Sequence, residues 1–452
     1  MNTDDTSLAQ LQGLMRAQGV ARLFAKKLAA NDNSKNQPYF GGDFGVLNIL
    51  PAGKPVAVAT GSREKKPIFK AALRFGWLSE DGNAYPAPNA QLILYPQYPE
   101  VRFSGYLHGA DRQHRPSDLM GMTRLEGRVL FLGVCDDGSI LGFAAGPESR
   151  LARELREQRD LEVVGVFLRI PFGRADAAAA NRAALLAEIC RIASLDWITS
   201  RRLDRHGRDQ PCASPNCGGY TLEAELGVRP NGFSNPDYRG WEVKQHSVGS
   251  FAQPTNNQVT LMTPEPSDGV YVSEGVVRFC ERWGYDDMRG RTNRINFGGS
   301  YRVDARVAKT KLTLRLLGYD SARGRITDAS GGIALIDDTG IEAAVWRYAD
   351  LIDHWKRKHA SAAYVPSEKR ETPERQYRYS PVVRLGTGTS FEKFLGAFAS
   401  HHIVYDPGIK VENYPDAPAT KRRSQFRMKS HDLARLYDTM VTVSACDPSS
   451  SA

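Results

Sequence analysis

The sequence predicts an α+β protein of two domains: a mainly β N-terminal domain with flanking helices, then an α/β C-terminal domain. The first observation is length, because 452 residues exceed what one hydrophobic core normally serves. The second is that short apolar runs broken by turn residues dominate up to about Pro171, whereas strand and helix patterns mix afterwards. We therefore expect domains at 1–174 and 175–452.

The N-terminal domain is predicted to consist mainly of strands. Three segments have the β-branched and aromatic content of strands: AQLILYPQYPEVRFSGYL, GRVLFLGVCDDGSILGF and LEVVGVFLRI. The CDDGS sequence within the second predicts a hairpin, because Asp-Gly tolerates the positive φ of a tight turn. Apolar residues at helical spacing predict two flanking helices, in LAQLQGLMRAQGVARLFAKKLA and ESRLARELREQ.

The C-terminal domain is predicted to mix helices and strands. The alanine-rich GRADAAAANRAALLAEICRIASLDWI indicates a long helix that begins around Ala175. Further on, GWEVKQHS and VTLMT are predicted strands, and GVVRFCERWG and FEKFLGAFASHH are predicted helices. We interpret the charged, proline-bearing YVPSEKRETPERQYRYSP as an exposed loop and the serine-rich end after Ala445 as a frayed tail.

The charge balance favours a polyanionic partner. Lys and Arg number 60 against 51 Asp and Glu, which gives a formal net charge of +9. Nucleic acid fits this excess, and so would a membrane surface. However, the sequence has no apolar window of transmembrane length, and MNTDDTSLAQ is unlike a secretion signal. We therefore expect a cytoplasmic protein that binds nucleic acid and no membrane.

The six cysteines form no dense framework, so we expect reduced thiols. Cys212 and Cys217, with His206 nearby, are candidate zinc ligands. The gap between the two cysteines is wider than in a usual zinc knuckle, and no fourth ligand is evident. The sequence therefore gives little support for a structural zinc ion.

The strongest chemical signal is PDYRGWEVK, in which a strand is predicted to carry Glu242 and Lys244. Residues two apart on a strand share a face, so these side chains project together while Val243 faces the core. Asp237, at the entry to the strand, can reach the same point. We expect Asp237 and Glu242 to bind a magnesium ion and Lys244 to position or help deprotonate the attacking water.

A further carboxylate is predicted upstream, where GGYTLEAELGV leads into a helix that carries Glu223. Glu225 lies about 200° further round that helix, so the two glutamates cannot both face the site. The alternative for the Glu-x-Lys triplet is a solvated charge pair at a strand edge, which is common in proteins of this size.

These residues carry a family resemblance. The run GGYTLEAELGVRPNGFSNPDYRGWEVK resembles the signature of the MvaI/BcnI restriction endonucleases, within the PD-(D/E)xK nuclease superfamily. The order and gaps of that signature are met by Glu223, Asp237, Glu242 and Lys244. The resemblance implies a PD-(D/E)xK fold from about Ala175 onward, and a monomer that hydrolyses double-stranded DNA with magnesium at a short, near-palindromic site of the CCWGG kind.

Two basic clusters could hold DNA: MRGRTNRINFGGSYR and ATKRRSQFRMKS. Arginine and glutamine can pair with guanine and adenine edges, whereas lysine mostly holds phosphate. The second cluster resembles the base-reading region of MvaI-like enzymes, so the predicted major-groove contacts are Arg422, Arg423, Gln425 and Arg427. The alternative is a solvated basic face that binds phosphate without specificity.

The N-terminal segments KKLAANDNSKNQPYFGG and YPQYPEVRFSGYL are similar to the EcoRII-type effector DNA-binding domain, a pseudobarrel. The likeness puts Arg102 on or beside the supporting sheet and four predicted DNA contacts on one arm: Asn33, Lys35, Asn36 and Gln37. The alternative is a plain turn-rich loop. An effector domain joined to such a nuclease implies a type IIE enzyme that binds a second copy of its site, with a cognate DNA methyltransferase.

Two other readings remain open. A repair or defence nuclease that acts on DNA structure would share the chemistry but cut without a defined sequence. A sequence-specific DNA-binding protein could retain the nuclease fold as an inactive scaffold. An RNA-processing role has less support, because no aromatic stacking motif of the RNA-binding kinds is present.

Overall fold

The computed structural model describes residues 5–30, 37–59, 67–98, 100–122, 125–172, 177–228, 237–252 and 257–447. The chain divides into two compact units. The N-terminal unit comprises Met1–Ala177 with Thr327–Ala329, and the C-terminal unit comprises Ala178–Ile326 with Ser330–Ala452. The main division falls close to the boundary that the sequence predicts after residue 174.

The N-terminal unit is mainly β, as predicted. Its helices are α1 (Leu8–Ala17), α2 (Val46–Ile49) and α3 (Arg150–Glu157). Its strands are β1 (Val20–Leu28), β2 (Tyr39–Gly41), β3 (Val56–Val58), β4 (Ile68–Ala72), β5 (Phe75–Leu78), β6 (Ala84–Pro86), β7 (Gln91–Tyr95), β8 (Glu100–Ser104), β9 (Arg128–Cys135), β10 (Ile140–Ala145), β11 (Val163–Val164) and β12 (Phe167–Ile170). A π-helical turn covers Asp118–Met122.

Two sheets build this unit within the described residues. One has the order β11-β12-β1-β9-β10-β5-β6 and the other the order β2-β8-β7-β4-β3. The predicted hairpin is confirmed, because β9 and β10 pair antiparallel and Gly138 in the turn has φ 82°. Helices α1 and α3 bury Leu11 and Leu151 in a core that they share with the first sheet.

The first predicted helix is only half correct. Helix α1 ends at Ala17, and the following VARLFAKKL forms β1, which pairs with β9 and β12. Gly19 adopts φ 77°, a conformation that ends a helix at little cost for glycine. The apolar residues of this stretch gain more by joining a buried sheet than by extending an isolated helix, so tertiary context overrides the helical spacing.

The C-terminal unit combines helices and strands, which confirms the predicted class. Its helices are α4 (Ala177–Ser194), α5 (Cys217–Glu225), α6 (Val270–Ser273), α7 (Gly275–Trp283), α8 (Tyr348–Lys358) and α9 (Phe391–Ala399). A 3₁₀ helix covers Ser430–Leu436. Its strands are β13 (Ile198–Thr199), β14 (Arg201–Leu203), β15 (Asp209–Pro211), β16 (Glu242–Ser247), β17 (Gln258–Met262), β18 (Tyr285–Asp286), β19 (Arg294–Gly298), β20 (Arg306–Val307), β21 (Leu312–Leu317), β22 (Tyr319–Asp320), β23 (Arg325–Ile326), β24 (Gly332–Asp337), β25 (Glu342–Arg347), β26 (Ser361–Arg370), β27 (Gln376–Tyr379), β28 (Val382–Thr387), β29 (Ile403–Tyr405), β30 (Gly408–Glu412), β31 (Ala419–Lys421), β32 (Phe426–Lys429) and β33 (Thr439–Ser444).

One mixed sheet forms the centre of this unit. In the described residues its order is β13-β27-β26-β28-β33, and β16 runs parallel to β26. Helices α4 and α5 cover one face with buried residues such as Leu186 and Leu222. A second, three-stranded sheet has the order β17-β32-β29. Strands of these two sheets, together with α5 and α8, carry residues of the candidate site.

The prediction of an exposed loop is wrong for YVPSEKRETPERQYRYSP. This segment forms most of β26, a turn and β27. Tyr364 and Val365 are fully buried, so the segment supplies core residues as well as charge. Arg378 on β27 pairs with Glu368 on β26 at 2.6 Å, which compensates the half-buried charges across the hairpin. A high content of charged residues therefore did not indicate a loop here.

The expectation of reduced thiols is also wrong for four cysteines. Cys190 is bonded to Cys446 and Cys212 to Cys217, with Cα atoms 5.0 and 5.7 Å apart. Cys212 and Cys217, considered above as zinc ligands, are thus bonded to each other. Their bridge ties β15 to the start of α5.

None of the helices in the described part of the chain combines the length and apolar character needed to cross a membrane.

Candidate active site

The parallel pairing of β16 with β26 places the first two predicted site residues. Glu242 lies opposite Ala362 and Lys244 opposite Tyr364, while Val243 between them packs into the core. The alternation predicted from the sequence is therefore present. Only 2% of the Glu242 side chain and 15% of the Lys244 side chain is exposed, so both charges are held largely away from solvent.

Glu242 is the centre of a cluster of charges. Its Oε1 accepts a hydrogen bond of 2.7 Å from Lys244 Nζ and lies 3.6 Å from Lys358 Nζ. Its Oε2 is buried and has no hydrogen-bond partner among the residues that the structure describes. Since a buried carboxylate oxygen without a donor is costly, this atom is suited to a cation or a donor from a ligand.

A tight turn brings Asp237 to the start of β16. Tyr238 and Trp241 exchange backbone hydrogen bonds, and the two residues between them, Arg239 and Gly240, have φ 46° and 86°. Positive φ at both central positions is typical of a turn that reverses the chain tightly. Asp237 Oδ2 accepts a hydrogen bond of 2.9 Å from the Val243 amide, which fixes its carboxylate beside Glu242.

Helix α5 supplies Glu223. A Cβ atom on Gly218 would lie 3.0 Å from the Gln245 side chain, so glycine at this position allows the helix to approach β16 closely. Thr221 is fully buried and exchanges hydrogen bonds of 3.1 Å with the backbone of Arg201, which fixes the rotation of the helix. Glu223 is thereby directed into the same cleft as Asp237.

Glu225, two residues further along α5, has a different environment. Its carboxylate pairs with Arg201 at 2.7 Å and with Arg191 at 3.8 Å, and it does not line the cleft. The two glutamates of this helix therefore point to different surroundings, as their angular separation predicts.

Proton affinities in the cleft are strongly perturbed. Burial, reinforced by the Asp237 carboxylate, raises the pKa of Glu223 to about 7. Burial and the Glu242 carboxylate raise the pKa of Asp237 to about 6. Three carboxylates lie close together and repel one another when ionised, so the cleft favours binding of a proton or a cation.

Lys244 and Lys358 determine which of these carboxylates stays ionised. Burial alone would raise the pKa of Glu242, but the ammonium groups of Lys244 and Lys358 outweigh it and lower the pKa. Burial opposes the charge on Lys244, yet the Glu242 carboxylate outweighs burial and raises the lysine pKa. Glu242 is therefore ionised and Lys244 protonated near neutral pH.

The four predicted catalytic residues line one cleft of about 530 Å³. Its opposite wall is formed by β17 and β32, which contribute Gln258, Thr260 and Arg427, together with Gln425. The structure thus brings a helix, a strand, a turn and the C-terminal basic cluster to a single concave surface. Polar groups line most of it, as expected for a site that holds a charged substrate.

The donor set fits a magnesium ion. Asp237 and Glu242 offer hard carboxylate oxygens, and Glu242 Oε2 is unpartnered. The described residues contain no group of three or more His, Cys, Asp or Glu side chains arranged to hold a metal. Two carboxylates would suffice for magnesium, since this ion retains several waters and takes phosphate oxygens as ligands.

Comparison with protein-family models identifies the family of the chain that forms this cleft. The model of the MvaI/BcnI restriction endonuclease family matches residues 186–437, more than half of the chain and all four site residues. The chain belongs to the MvaI/BcnI restriction endonuclease family. Enzymes of this family generally use a divalent metal such as magnesium. No curated protein matches the chain in sequence.

Solved structures of the restriction endonuclease MvaI are similar to the chain. The complex of MvaI with its cognate DNA substrate has 17% sequence identity and a TM-score of 0.43, and the match covers 57% of this chain and 96% of MvaI. MvaI in the absence of DNA has 14% identity and a TM-score of 0.32, with 58% and 97% of the two chains covered.

The predicted base-reading residues of this MvaI/BcnI family member fall into two groups. Gln425 and Arg427 line the cleft. Arg427 donates a hydrogen bond of 2.6 Å to Asp406 Oδ2, which holds its guanidinium in place. Arg422 and Arg423 are exposed and do not line the cleft. The structure therefore brings two of the four predicted residues to the candidate site.

The predicted N-terminal DNA contacts are placed only in part. Asn33, Lys35 and Asn36 lie outside the described residues. Arg102, on β8, pairs with Glu100 at 2.6 Å and donates a hydrogen bond of 3.2 Å to the Gln37 carbonyl. Gln37 and Arg102 thus lie together beside β2, the edge strand of the five-stranded sheet. Their role in DNA binding stays a prediction.

Two residues of the cleft were missed at the sequence level. Lys358 ends α8, and its ammonium lies beside Glu242. His246 is 8% exposed, and its Nδ1 has no hydrogen-bond partner in the described part of the chain. Burial, reinforced by Arg384, lowers its pKa to about 4. His246 could have been found, because it lies two residues beyond Lys244 on the same strand and so on the same face. Nothing in the local sequence of Lys358 indicates its position.

Proposed function

We propose that this protein is a sequence-specific type II restriction endonuclease that hydrolyses double-stranded DNA with magnesium. The observation that carries the proposal is the cleft in which Glu223, Asp237, Glu242 and Lys244 converge, in a chain of the MvaI/BcnI family. A buried carboxylate oxygen without a partner supports metal binding at the same point. The substrate class follows from the family and from the basic charge of the chain.

Asp237 and Glu242 are the residues that would hold the magnesium ion. When bound, the ion neutralises charge on the scissile phosphate and makes a bound water more acidic. The hydrogen bond from the Val243 amide keeps the Asp237 carboxylate oriented. The contact with Lys244 keeps Glu242 ionised, so that one oxygen is engaged by the lysine and the other is available.

Lys244 and Glu223 have different roles in the proposed reaction. Because its pKa is raised, Lys244 stays protonated, which favours positioning of the water and stabilisation of the phosphate over deprotonation. Glu223, with a pKa raised to about 7, is suited to accept a proton from the attacking water at its carboxylate oxygen. The leaving 3′ oxygen of the cut strand takes up a proton from solvent.

The wall opposite the carboxylates would read the DNA. The Gln425 side chain can pair with an adenine edge and the Arg427 guanidinium with a guanine edge. Arg422 and Arg423 are better placed to hold phosphates outside the cleft, since they are exposed. The resemblance implies a short, near-palindromic target of the CCWGG kind.

The N-terminal unit would serve as an effector domain of the EcoRII type. It would bind a second copy of the target site, as in type IIE enzymes, through the predicted contacts Asn33, Lys35, Asn36, Gln37 and Arg102. Tethering the nuclease near target DNA raises its local concentration. We expect the protein to act as a monomer that cuts one strand and then the other, and to be accompanied by a methyltransferase that protects the same site.

Digestion of plasmids that carry one or two copies of the target tests the two-module proposal. Arg102→Ala should abolish the advantage of two copies while leaving single-copy cleavage measurable. Glu148→Ala, an exposed change in the same unit, is the matched control. Complete loss of cutting by Arg102→Ala would contradict the proposal of separable modules.

A further inference from the structure

The cleft contains a cation that the predicted catalytic set does not include. Lys358 is the last residue of α8 and lines the cleft together with Glu223, Asp237, Glu242 and Lys244. Its ammonium lies 3.6 Å from Glu242 Oε1, the same oxygen that accepts a hydrogen bond from Lys244. Two ammonium groups from different elements thus converge on one carboxylate.

The contacts of the two lysines differ. Lys244 forms a hydrogen bond of 2.7 Å with Glu242, whereas the 3.6 Å separation of Lys358 is an ion pair without a hydrogen bond. Within the described residues, no hydrogen bond from the Lys358 ammonium is found. Its three donors therefore remain available, and about a quarter of the side chain, 26%, is exposed towards the cleft.

The backbone that presents Lys358 is firmly anchored. The next residue, His359, is fully buried, and its ring stacks on Trp355 with centroids 3.9 Å apart. Its Nε2 lies 3.0 Å from the Leu261 carbonyl on β17. The end of α8 is thus tied to the sheet that forms the opposite wall, so Lys358 is held at a defined position.

We propose that Lys358 is a further catalytic residue, whose ammonium contacts a non-bridging oxygen of the phosphate that is cut. The inference rests on the proposed nuclease function and adds a phosphate ligand to it. Three carboxylates face the cleft, and Lys244 is already engaged by one of them. An incoming phosphate needs cationic donors beyond those of Lys244, and Lys358 supplies them.

The test compares Lys358→Met, Lys358→Arg and Lys393→Ala. Methionine keeps most of the apolar stem, and arginine keeps the charge. Lys393 is a control of similar exposure that pairs with Asp438 at 2.8 Å and does not line the cleft. Cleavage of supercoiled plasmid is measured in single turnover with saturating protein and magnesium. Binding is measured in EDTA, across a series of salt concentrations, with a duplex taken from around a cleavage point.

Loss of a phosphate contact made at the transition state should lower the single-turnover rate constant of Lys358→Met by about 10²-fold. The slope of log binding constant against log salt should fall by about one for the same variant. Lys358→Arg should recover most of both values, and Lys393→Ala should match the wild type. Lost cleavage with an unchanged salt slope would overturn the proposal, because it would reduce Lys358 to a residue that only positions Glu242.

Different results would contradict the role of Lys358 and the nuclease function. Wild-type cutting by Lys358→Met would overturn the role of Lys358 and leave the nuclease function intact. Absence of cutting by the wild-type protein, on plasmids of varied sequence with magnesium, would contradict the proposed function itself.

Discussion

Glu223 and Glu225 lie two residues apart on α5, yet they have opposite environments. Glu225 is paired with Arg201 and Arg191, so its charge is compensated within the protein. Glu223 faces two other carboxylates in the cleft, and its pKa is raised to about 7. The comparison teaches that the neighbouring charges, rather than burial alone, distinguish these two glutamates: cations surround Glu225 and carboxylates surround Glu223.

The largest effect expected from this comparison concerns cleavage. Glu223→Gln removes the carboxylate that we propose accepts a proton, so the single-turnover rate should fall by about 10²- to 10⁴-fold. Glu225→Gln should cut at a rate near that of the wild type. Rapid-quench analysis of plasmid cleavage checks both values. Equal losses in the two variants would contradict the division of roles along α5.

The second effect is a pH-dependent contribution of Glu223 to stability. A folded pKa raised from 4.5 to about 7 means that ionisation of this group opposes folding. The penalty is absent below about pH 4.5 and complete above about pH 7. Glu223→Gln should therefore gain up to about 3 kcal/mol at pH 8 and nothing at pH 4.5, in metal-free buffer. Urea unfolding at the two pH values measures this; an equal gain at both would refute the assignment.

A smaller effect, of opposite sign, is expected at Glu225. Glu225→Gln removes one of the two carboxylate partners of the partly buried Arg201 and leaves Asp209 as the other, which should cost about 1–3 kcal/mol of folding free energy at neutral pH. Thermal or urea unfolding measures the loss. The double variant Glu225→Gln/Arg201→Met lacks both members of the pair, so it should recover part of the lost folding free energy. If the losses of the two single variants simply add in the double variant, a direct interaction between Glu225 and Arg201 is contradicted.

The smallest expected effect extends the comparison to the opposite wall. Arg427 is held by Asp406, whereas the described structure gives the Gln425 side chain no protein partner, so its amide can pair with a base. Gln425→Ala should relax discrimination at one base pair by about 1–3 kcal/mol. Arg423→Ala should weaken binding similarly for all sequences. Cleavage of a panel of singly altered sites distinguishes these outcomes.

The local part of the site could be predicted from the sequence. The alternation along GWEVKQHS placed Glu242 and Lys244 on one face, and helical geometry separated Glu223 from Glu225. The family resemblance linked these segments across a gap in the chain. The periodicity of each segment was enough to predict which way these side chains point, because that direction depends only on the helix or strand to which the residue belongs.

The remaining features depend on contacts distant in sequence. Lys358 reaches Glu242 only because α8 leads into β26, the strand that pairs with β16. VARLFAKKL became a strand because its partners β9 and β12 bury it. The segment from Tyr364 to Pro381 forms a hairpin because it buries Tyr364 and Val365 and because Arg378 compensates the charge of Glu368 across the strands. Neither composition nor spacing within a segment reports such partners.

The most direct test is digestion of a plasmid library, with and without magnesium, followed by sequencing of every end. The wild-type protein and Glu242→Ala are compared, after circular dichroism shows that both are folded. The account predicts that all ends share one short sequence and appear only with magnesium and intact Glu242. Ends without a shared sequence, or ends that persist in Glu242→Ala, would contradict a restriction endonuclease built around this cleft.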